Sequence, residues 1–251
     1  MKYVGSKNRL AKYIVPILQK IIDAYEPSAY IEPFVGGANV IDKISCKTNK
    51  FGIDNNYYLI SLWKALQAGW TPPESISEDL YNFVRTDMSV FPPHFVGLVG
   101  FCATYGAKWF GGYARGFKAD KVTPRDIPAE GIRNIMRQVP KIKDVQFIHG
   151  SYERFINHNN CIIYCDPPYK GTEYYKDNKF DHEEFYEWCR TEAEKNIVVI
   201  SEYWMPEDFI CIWKKEHKTS LDTNTHYDRV ERLFIHEKNL DEVSRIFKEN
   251  A

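Results

Sequence analysis

No pair of cysteines in this sequence is spaced Cys-x-x-Cys, although six cysteines occur in 251 residues. The seven histidines are scattered as well and show no metal-ligand spacing. A structural zinc site or a disulfide framework is therefore not expected, and reduced thiols in a cytoplasm fit the pattern better. No apolar run approaches the roughly 20 residues that span a bilayer. The first residues, "MKYVGSKNRLAKYIVPIL", have neither the sustained apolar stretch nor the small-residue cleavage site of a signal peptide, and none is expected. Repeats and low-complexity segments are absent too. So is the Gly-x-Gly-x-x-Gly fingerprint, which argues against a cofactor bound through a pyrophosphate. Net charge is only −1, unlike a wholly basic nucleic-acid binder.

The charge that is present is unevenly placed. From Thr104 to Lys143 there are nine Lys and Arg against three acids, a local excess of +6 within a slightly acidic chain. A charge run usually marks a solvated face. This one also carries "KWFGGYARGF", where rings, glycines and cations interleave, and that mixture suits contacts to phosphates and bases. Aromatic residues make up 15% of the chain, enough to supply both a core and ring faces for stacking.

Periodicity gives the elements. Leu10, Ile14, Ile17, Leu18 and Ile21 have helical spacing. "SAYIEPFVGGANVIDKI" reads as a strand, a tight glycine turn and a helix, and "KFGIDNN" as a second strand ending on Asp54. A helix over "YYLISLWKALQAG" follows, closed by Gly69. Between Trp70 and about Lys143 the strand signal fades into turn-rich sequence, with helical patches around Glu78–Met88 and Asp126–Val139. Strands return in "VQFIHG", "CIIYC" and "NIVVISEY", followed by a hairpin from "ICIWKKEHKTSL" and "RVERLFIH". The helix "DHEEFYEWCRTEAEK" takes Asp181 as its N-cap. The order strand, glycine turn, helix, acid-ended strand opens a nucleotide-binding α/β sheet.

"CIIYCDPPYKGTEYY" carries the chemistry. A buried strand ends on Asp166, and ligands of open α/β sheets bind at such carboxyl ends. Pro167 and Pro168 fix the chain and remove two backbone donors, which leaves carbonyls as acceptors. Tyr169 then offers a ring. A carboxylate, an acceptor carbonyl and a ring suit an exocyclic amino group on a flat heterocycle. Two acceptors turn its N–H bonds away from the ring plane, and the nitrogen lone pair is freed for attack. In this reading Tyr169 acts through its ring face rather than its hydroxyl. Asp54, at the end of the second strand, is placed to accept hydrogen bonds from ribose hydroxyls, against the blander reading of an acid capping a helix.

"YVGSKNRL", "EPFVGGAN" and "DPPY", in this order around an insertion, resemble the Dam-type (D12 class, group alpha) DNA adenine N6-methyltransferases, from Lys2 to about Tyr175. The resemblance implies S-adenosylmethionine as methyl donor, no metal, and double-stranded DNA as substrate. It implies a Rossmann-like seven-stranded sheet with an antiparallel final hairpin and an inserted, mainly helical target-recognition lobe. Residues 1–70 and 144–251 would form the catalytic domain and 71–143 the DNA-binding insertion. Tyr3 and Lys7 match the motif that binds the methionine end of the cofactor. Glu32, Phe34 and Gly36 match the cofactor turn, Asp54 the ribose-binding acid, and Ser151 and Tyr152 the adenine contact. Asp166, Pro167 and Tyr169 match the catalytic loop, Asp166 also touching the cofactor. Within the insertion, Arg115 is expected at base edges, and Lys108, Lys118 and Lys121 on DNA.

Three positions depart from the family pattern. Ala38 stands where the cofactor turn usually ends in Gly, so mild crowding is expected. Ser151 stands where an acid is common. Gly111 replaces an Asn often found in readers of GATC, which puts that target in doubt. Methylation of cytosine N4 or of an RNA base, and a DNA-binding module without activity, remain alternative readings. So do solitary, restriction-associated and phage-protective roles, and a monomer or a weak dimer. Tyr174 and Tyr175 would either clamp a flipped base or pack a lid.

Overall fold

A computed structural model describes residues 1–154, 158–170, 180–218 and 228–248. Among the described residues seven strands follow one another: β1 (Ala29–Glu32), β2 (Asn49–Asp54), β3 (Val145–His149), β4 (Cys161–Cys165), β5 (Ile197–Glu202), β6 (Phe209–Lys218) and β7 (Asp228–His236). They form one sheet in the order β3-β2-β1-β4-β5-β7-β6. β1 pairs parallel to β4 and β4 parallel to β5, whereas β7 runs antiparallel to both β5 and β6. Every residue of β1, β4 and β5 is buried, as expected for parallel strands covered on both faces, and this explains why they read as continuous apolar runs. The expected mixed sheet with its final hairpin is the sheet observed.

The helices are α1 (Ala11–Tyr25), α2 (Tyr57–Gln67), α3 (Glu78–Thr86), α4 (Pro93–Cys102), α5 (Ile127–Met136), α6 (His182–Glu192) and α7 (Leu240–Lys248). In α1 the apolar stripe of Ile14, Leu18 and Ile21 is fully buried, and Pro16 lies on the exposed side. Asp181 caps α6 as expected, its carboxylate accepting from Glu184 N–H at 3.0 Å.

Two compact units can be distinguished. The first comprises Met1–Ile17, Val35–Ser45 and Gly52–Ser151, and the second Leu18–Phe34, Cys46–Phe51 and Tyr152–Ala251. In the first unit α2 and α4 pack so closely that a Cβ on Gly97 would lie 2.3 Å from the Tyr58 carbonyl oxygen. Trp63 of α2 stacks on Phe147 of β3, with ring centroids 5.6 Å apart. The segment 71–143 contains α3, α4 and α5 and lies wholly within this unit.

Two local expectations are corrected. No α-helix follows the glycine turn after β1: only a single 3-10 turn, Ile41–Lys43, forms there. Asn39 spends its amide on the Met1 carbonyl and the Ser6 hydroxyl, Ala38 sits at φ +52°, and the chain turns extended at Ile44. The turn therefore does not lead directly into an α-helix of its own. Conversely, α4 lies where the sequence reads as turns. Its first residue is Pro93, which suits the first turn of a helix. Val96–Cys102 are all buried, so no polar face betrays the helical period.

Candidate active site

In the first unit the glycine turn is fixed from three sides. Gly36 has φ +44°, and a Cβ there would lie 2.8 Å from the Tyr3 ring, so only glycine lets Tyr3 pack on this turn. Gly36 N–H donates to Asp54 Oδ2 at 3.0 Å, and Trp63 Nε1 donates to Gly36 O at 3.1 Å. Gln138 Nε2 donates to the carbonyls of Gly37 and Ala38 at 3.0 and 2.8 Å. Ala38 adopts the left-handed conformation where the family has glycine, a strain of about 1–2 kcal/mol for a residue with a Cβ.

Asp54, at the end of β2, is buried. Its Oδ1 accepts from Asn56 N–H at 2.9 Å, but Asn56, not Asp54, caps α2. The capping alternative for Asp54 therefore does not describe it. Burial raises its carboxyl above the usual range, and the two N–H donors oppose that shift. Each oxygen carries one such bond and retains a second lone pair for a hydroxyl donor. Tyr3, Gly36 and Asp54 thus come together as the sequence implies. Lys7 is buried in the adjoining 3-10 turn. Ser151, just past β3, is half-buried.

The cations of segment 71–143 are exposed. Arg115 makes a bidentate ion pair with Glu78 at the start of α3, its guanidinium 5.9 Å from the Tyr113 ring centroid. Lys118 and Lys121 lie on a narrow turn closed by a bridge between Phe117 and Pro124. Asp120 organises it by accepting from Val122 and Thr123 N–H, both at 2.9 Å. Phe117 is 60% exposed and Tyr105 73%, so the cations stand beside uncovered rings. A side chain at Gly111 would collide with Lys108 Cβ and Cγ at 2.8 Å, which shows why an Asn is not accommodated there without moving Lys108.

In the second unit the carboxyl ends of β1, β4 and β5 carry the polar groups. Glu32 is buried and accepts from the Tyr30 hydroxyl at 2.8 Å. Phe34 and Tyr152 pack at 5.4 Å, within an aromatic cluster with Phe180 and Phe185. Asp166 is half-exposed immediately after β4, Pro167 is buried, and Tyr169 is 9% exposed. The Tyr169 ring meets Tyr203 edge-on at 4.6 Å, and its hydroxyl donates to Glu231 Oε1 on β7. The hydroxyl is thus engaged, contrary to a reading that uses only the ring face. Burial, with Glu231 beside it, drives the phenol well above the usual tyrosine range.

Two acids at this edge were not singled out in the sequence. Glu202 ends β5 and is 2% exposed, accepting from Tyr203 N–H at 2.7 Å and Lys170 N–H at 3.3 Å. Burial pushes its carboxyl up to about 8; the two N–H donors oppose this, and the charges of Asp166 and Glu231 add to it. Glu231 on β7 is 1% exposed. A period-two signal did exist: in "RVERLFIH" a charge falls among inward-facing apolar positions. Tyr164 on β4 completes the edge, bonded to Ser201 at 2.7 Å. Tyr174 and Tyr175 lie outside the described residues. Among the described residues no group of three or more His, Cys, Asp or Glu is arranged to hold a metal ion, and no helix is long and apolar enough to cross a membrane.

A partly parallel sheet closed by an antiparallel hairpin, with helices along the chain, is an α/β architecture of the Rossmann-like methyltransferase kind. The family model described as D12 class N6 adenine-specific DNA methyltransferase matches residues 3–90 and 98–199. The chain belongs to that family and is an adenine-specific DNA methyltransferase. A comparison with curated proteins finds no match.

Proposed function

We propose that this chain transfers a methyl group from S-adenosylmethionine directly to N6 of an adenine flipped out of duplex DNA at a specific site. The observation that carries this reading is Asp166-Pro167-Pro168-Tyr169 beyond the buried strand β4. N6 is engaged in base pairing inside the duplex, so the base must leave the stack to meet this loop. The Asp166 carboxylate and the Pro167 carbonyl accept the two N6 hydrogens. The amine is thereby oriented with its lone pair out of conjugation, and the proton released after transfer finds an acceptor already in place.

The residues present fit the methyl donor. Asp54 keeps acceptor capacity for a ribose, the turn at Gly36 has no side chain, Lys7 offers a cation for a carboxylate, and Phe34 with Tyr152 offers rings for a purine. When bound, S-adenosylmethionine supplies an electrophilic methyl on a sulfonium. Segment 71–143 reads the DNA: Arg115 at base edges, and Lys108, Lys118 and Lys121 at the DNA backbone. The enzyme acts in the cytoplasm as a monomer or weak dimer. Its standing as solitary, restriction-associated or phage-protective is a matter of its setting rather than its chemistry.

The test is sequencing with modification detection on DNA from cells expressing the chain, joined to nucleoside analysis. N6-methyladenine within one short motif is expected. Methyl groups on cytosine N4, or none on DNA although the purified chain binds S-adenosylmethionine, would overturn the proposal.

A further inference from the structure

The loop Asp166–Tyr169 has no regular secondary structure, and its two prolines have no N–H with which to tie it down. Beyond them the Tyr169 hydroxyl and the Lys170 N–H are donors. Both go to carboxylates from neighbouring strands: the hydroxyl to Glu231 on β7, the N–H to Glu202 on β5. Glu202 ties down a second segment as well, through Tyr203 N–H, and Tyr203 is the residue whose ring abuts Tyr169. These two acids are buried close to a third, Asp166, and their like charges disfavour one another. An apolar pair would pack here at lower cost. Stability alone does not account for the arrangement, whereas holding a donor-poor loop in one geometry does.

We propose that Glu231 and Glu202 are positioning residues for methyl transfer: Glu231 sets the plane of the Tyr169 ring through its hydroxyl, and Glu202 sets the exit of the loop through the Lys170 N–H. Neither touches the substrate. The inference rests on the methyltransferase reading above and adds that the hydroxyl of Tyr169, not only its face, is needed.

The experiment measures single-turnover methyl transfer to DNA, with KM for DNA and for S-adenosylmethionine, in Tyr169→Phe, Glu231→Gln, Glu231→Leu, Glu202→Gln, Glu202→Leu and the Tyr169→Phe/Glu231→Leu double variant. Misplacing a reacting group by about 1 Å costs on the order of 10²-fold. Tyr169→Phe should lose roughly that much rate with both KM values nearly unchanged. Glu231→Gln and Glu202→Gln keep an acceptor and should retain most activity, whereas the Leu variants should not. The double variant should be no slower than the slower single, because both changes break one bond. If the Leu variants do not fold, Tyr169→Phe, which keeps the volume, decides. Wild-type rate in Tyr169→Phe, or losses that simply multiply in the double variant, would overturn the proposal.

If the wild-type chain methylates no adenine, the function falls separately. The labelled ring carbon of Tyr169 then decides by NMR: its signal should report a hydroxyl still un-ionised beyond the ordinary tyrosine range of about 10 and should shift in Glu231→Gln. Indifference to that change would overturn the positioning role.

Discussion

At the scale of single residues, the acids at the strand ends have separable duties. In the proposed mechanism Asp166→Ala removes an acceptor at the reacting amine, and loss of one preorganised polar group costs on the order of 10²–10³ in rate. DNA and cofactor binding should remain measurable, and near-normal single-turnover transfer would exclude the role. Asp54→Ala should raise the calorimetric Kd for S-adenosylmethionine and spare DNA affinity. It also strips the acceptor from Gly36 N–H, so Asp54→Asn should recover part of the loss. Glu202 gives a pH dependence. Its folded-state value of about 8 lies above the ordinary 4.5, so the folded chain holds this proton more tightly than the unfolded one. Its contribution to stability is therefore most favourable below about pH 4.5 and declines as pH rises towards 8, by at most about 1.4 kcal/mol per pH unit. Asp166 and Glu231 are the like charges that disfavour its ionised form, and Tyr186 on α6 lies within reach of its charge. The Lys170 ammonium is turned to Glu183, and the Arg232 guanidinium to the Tyr203 carbonyl. Glu202→Gln should flatten the decline in urea unfolding between pH 5 and 8. Asp54 and Glu192, also raised by burial, leave a residual slope.

At the scale of elements, the close approach of α4 to α2 is the most sensitive contact described. Gly97→Ala would gain up to about 1 kcal/mol in helix propensity. It would also place a methyl group 2.3 Å from the Tyr58 carbonyl oxygen, and overpacking of this kind costs about 1–3 kcal/mol. A net loss of stability is expected in urea unfolding; a gain would show that α4 is free to move away. The same helix marks the limit of reading elements from sequence. β4, β5 and the final hairpin were legible because β-branched runs and alternation suit little besides strands, and α2 and α6 because they carry capping residues and a polar face. α4 has neither signal: no side chain caps its start, and His94 is its one polar residue. The turn after β1 misled in the opposite direction. A Gly-Gly before an apolar run reads as strand-to-helix, but Asn39 and Ala38 hold it as a turn through bonds to sequence-distant partners such as Ser6 and Gln138.

At the scale of the whole molecule, charge is unevenly shared, since a nearly neutral chain concentrates an excess of cations within 104–143. Lys118→Ala should weaken binding to all DNA sequences alike and reduce the salt slope by about one. Arg115→Ala should relax preference at one base position by ~1–3 kcal/mol. Its pair with Glu78 is 70% exposed on the arginine side, so its melting temperature should hardly change; unaltered site preference in a folded variant would assign Arg115 to that pair alone. The candidate site was legible where a motif confines the expected chemistry to a few positions, as in Asp166–Tyr169, Gly36 and Asp54. Glu202 and Gln138 were not, because each acts on a partner more than 30 residues away and no local pattern announces it; Glu231 left only a charge at an inward-facing position of its strand. Gln138 has a bearing on inheritance. It lies near the end of the segment 71–143 proposed to read DNA, yet its amide closes the turn at Gly37 and Ala38. A segment exchanged from another enzyme to change the site recognised must bring a donor at this position, or the recombinant gains new reading at the expense of its methyl-donor affinity.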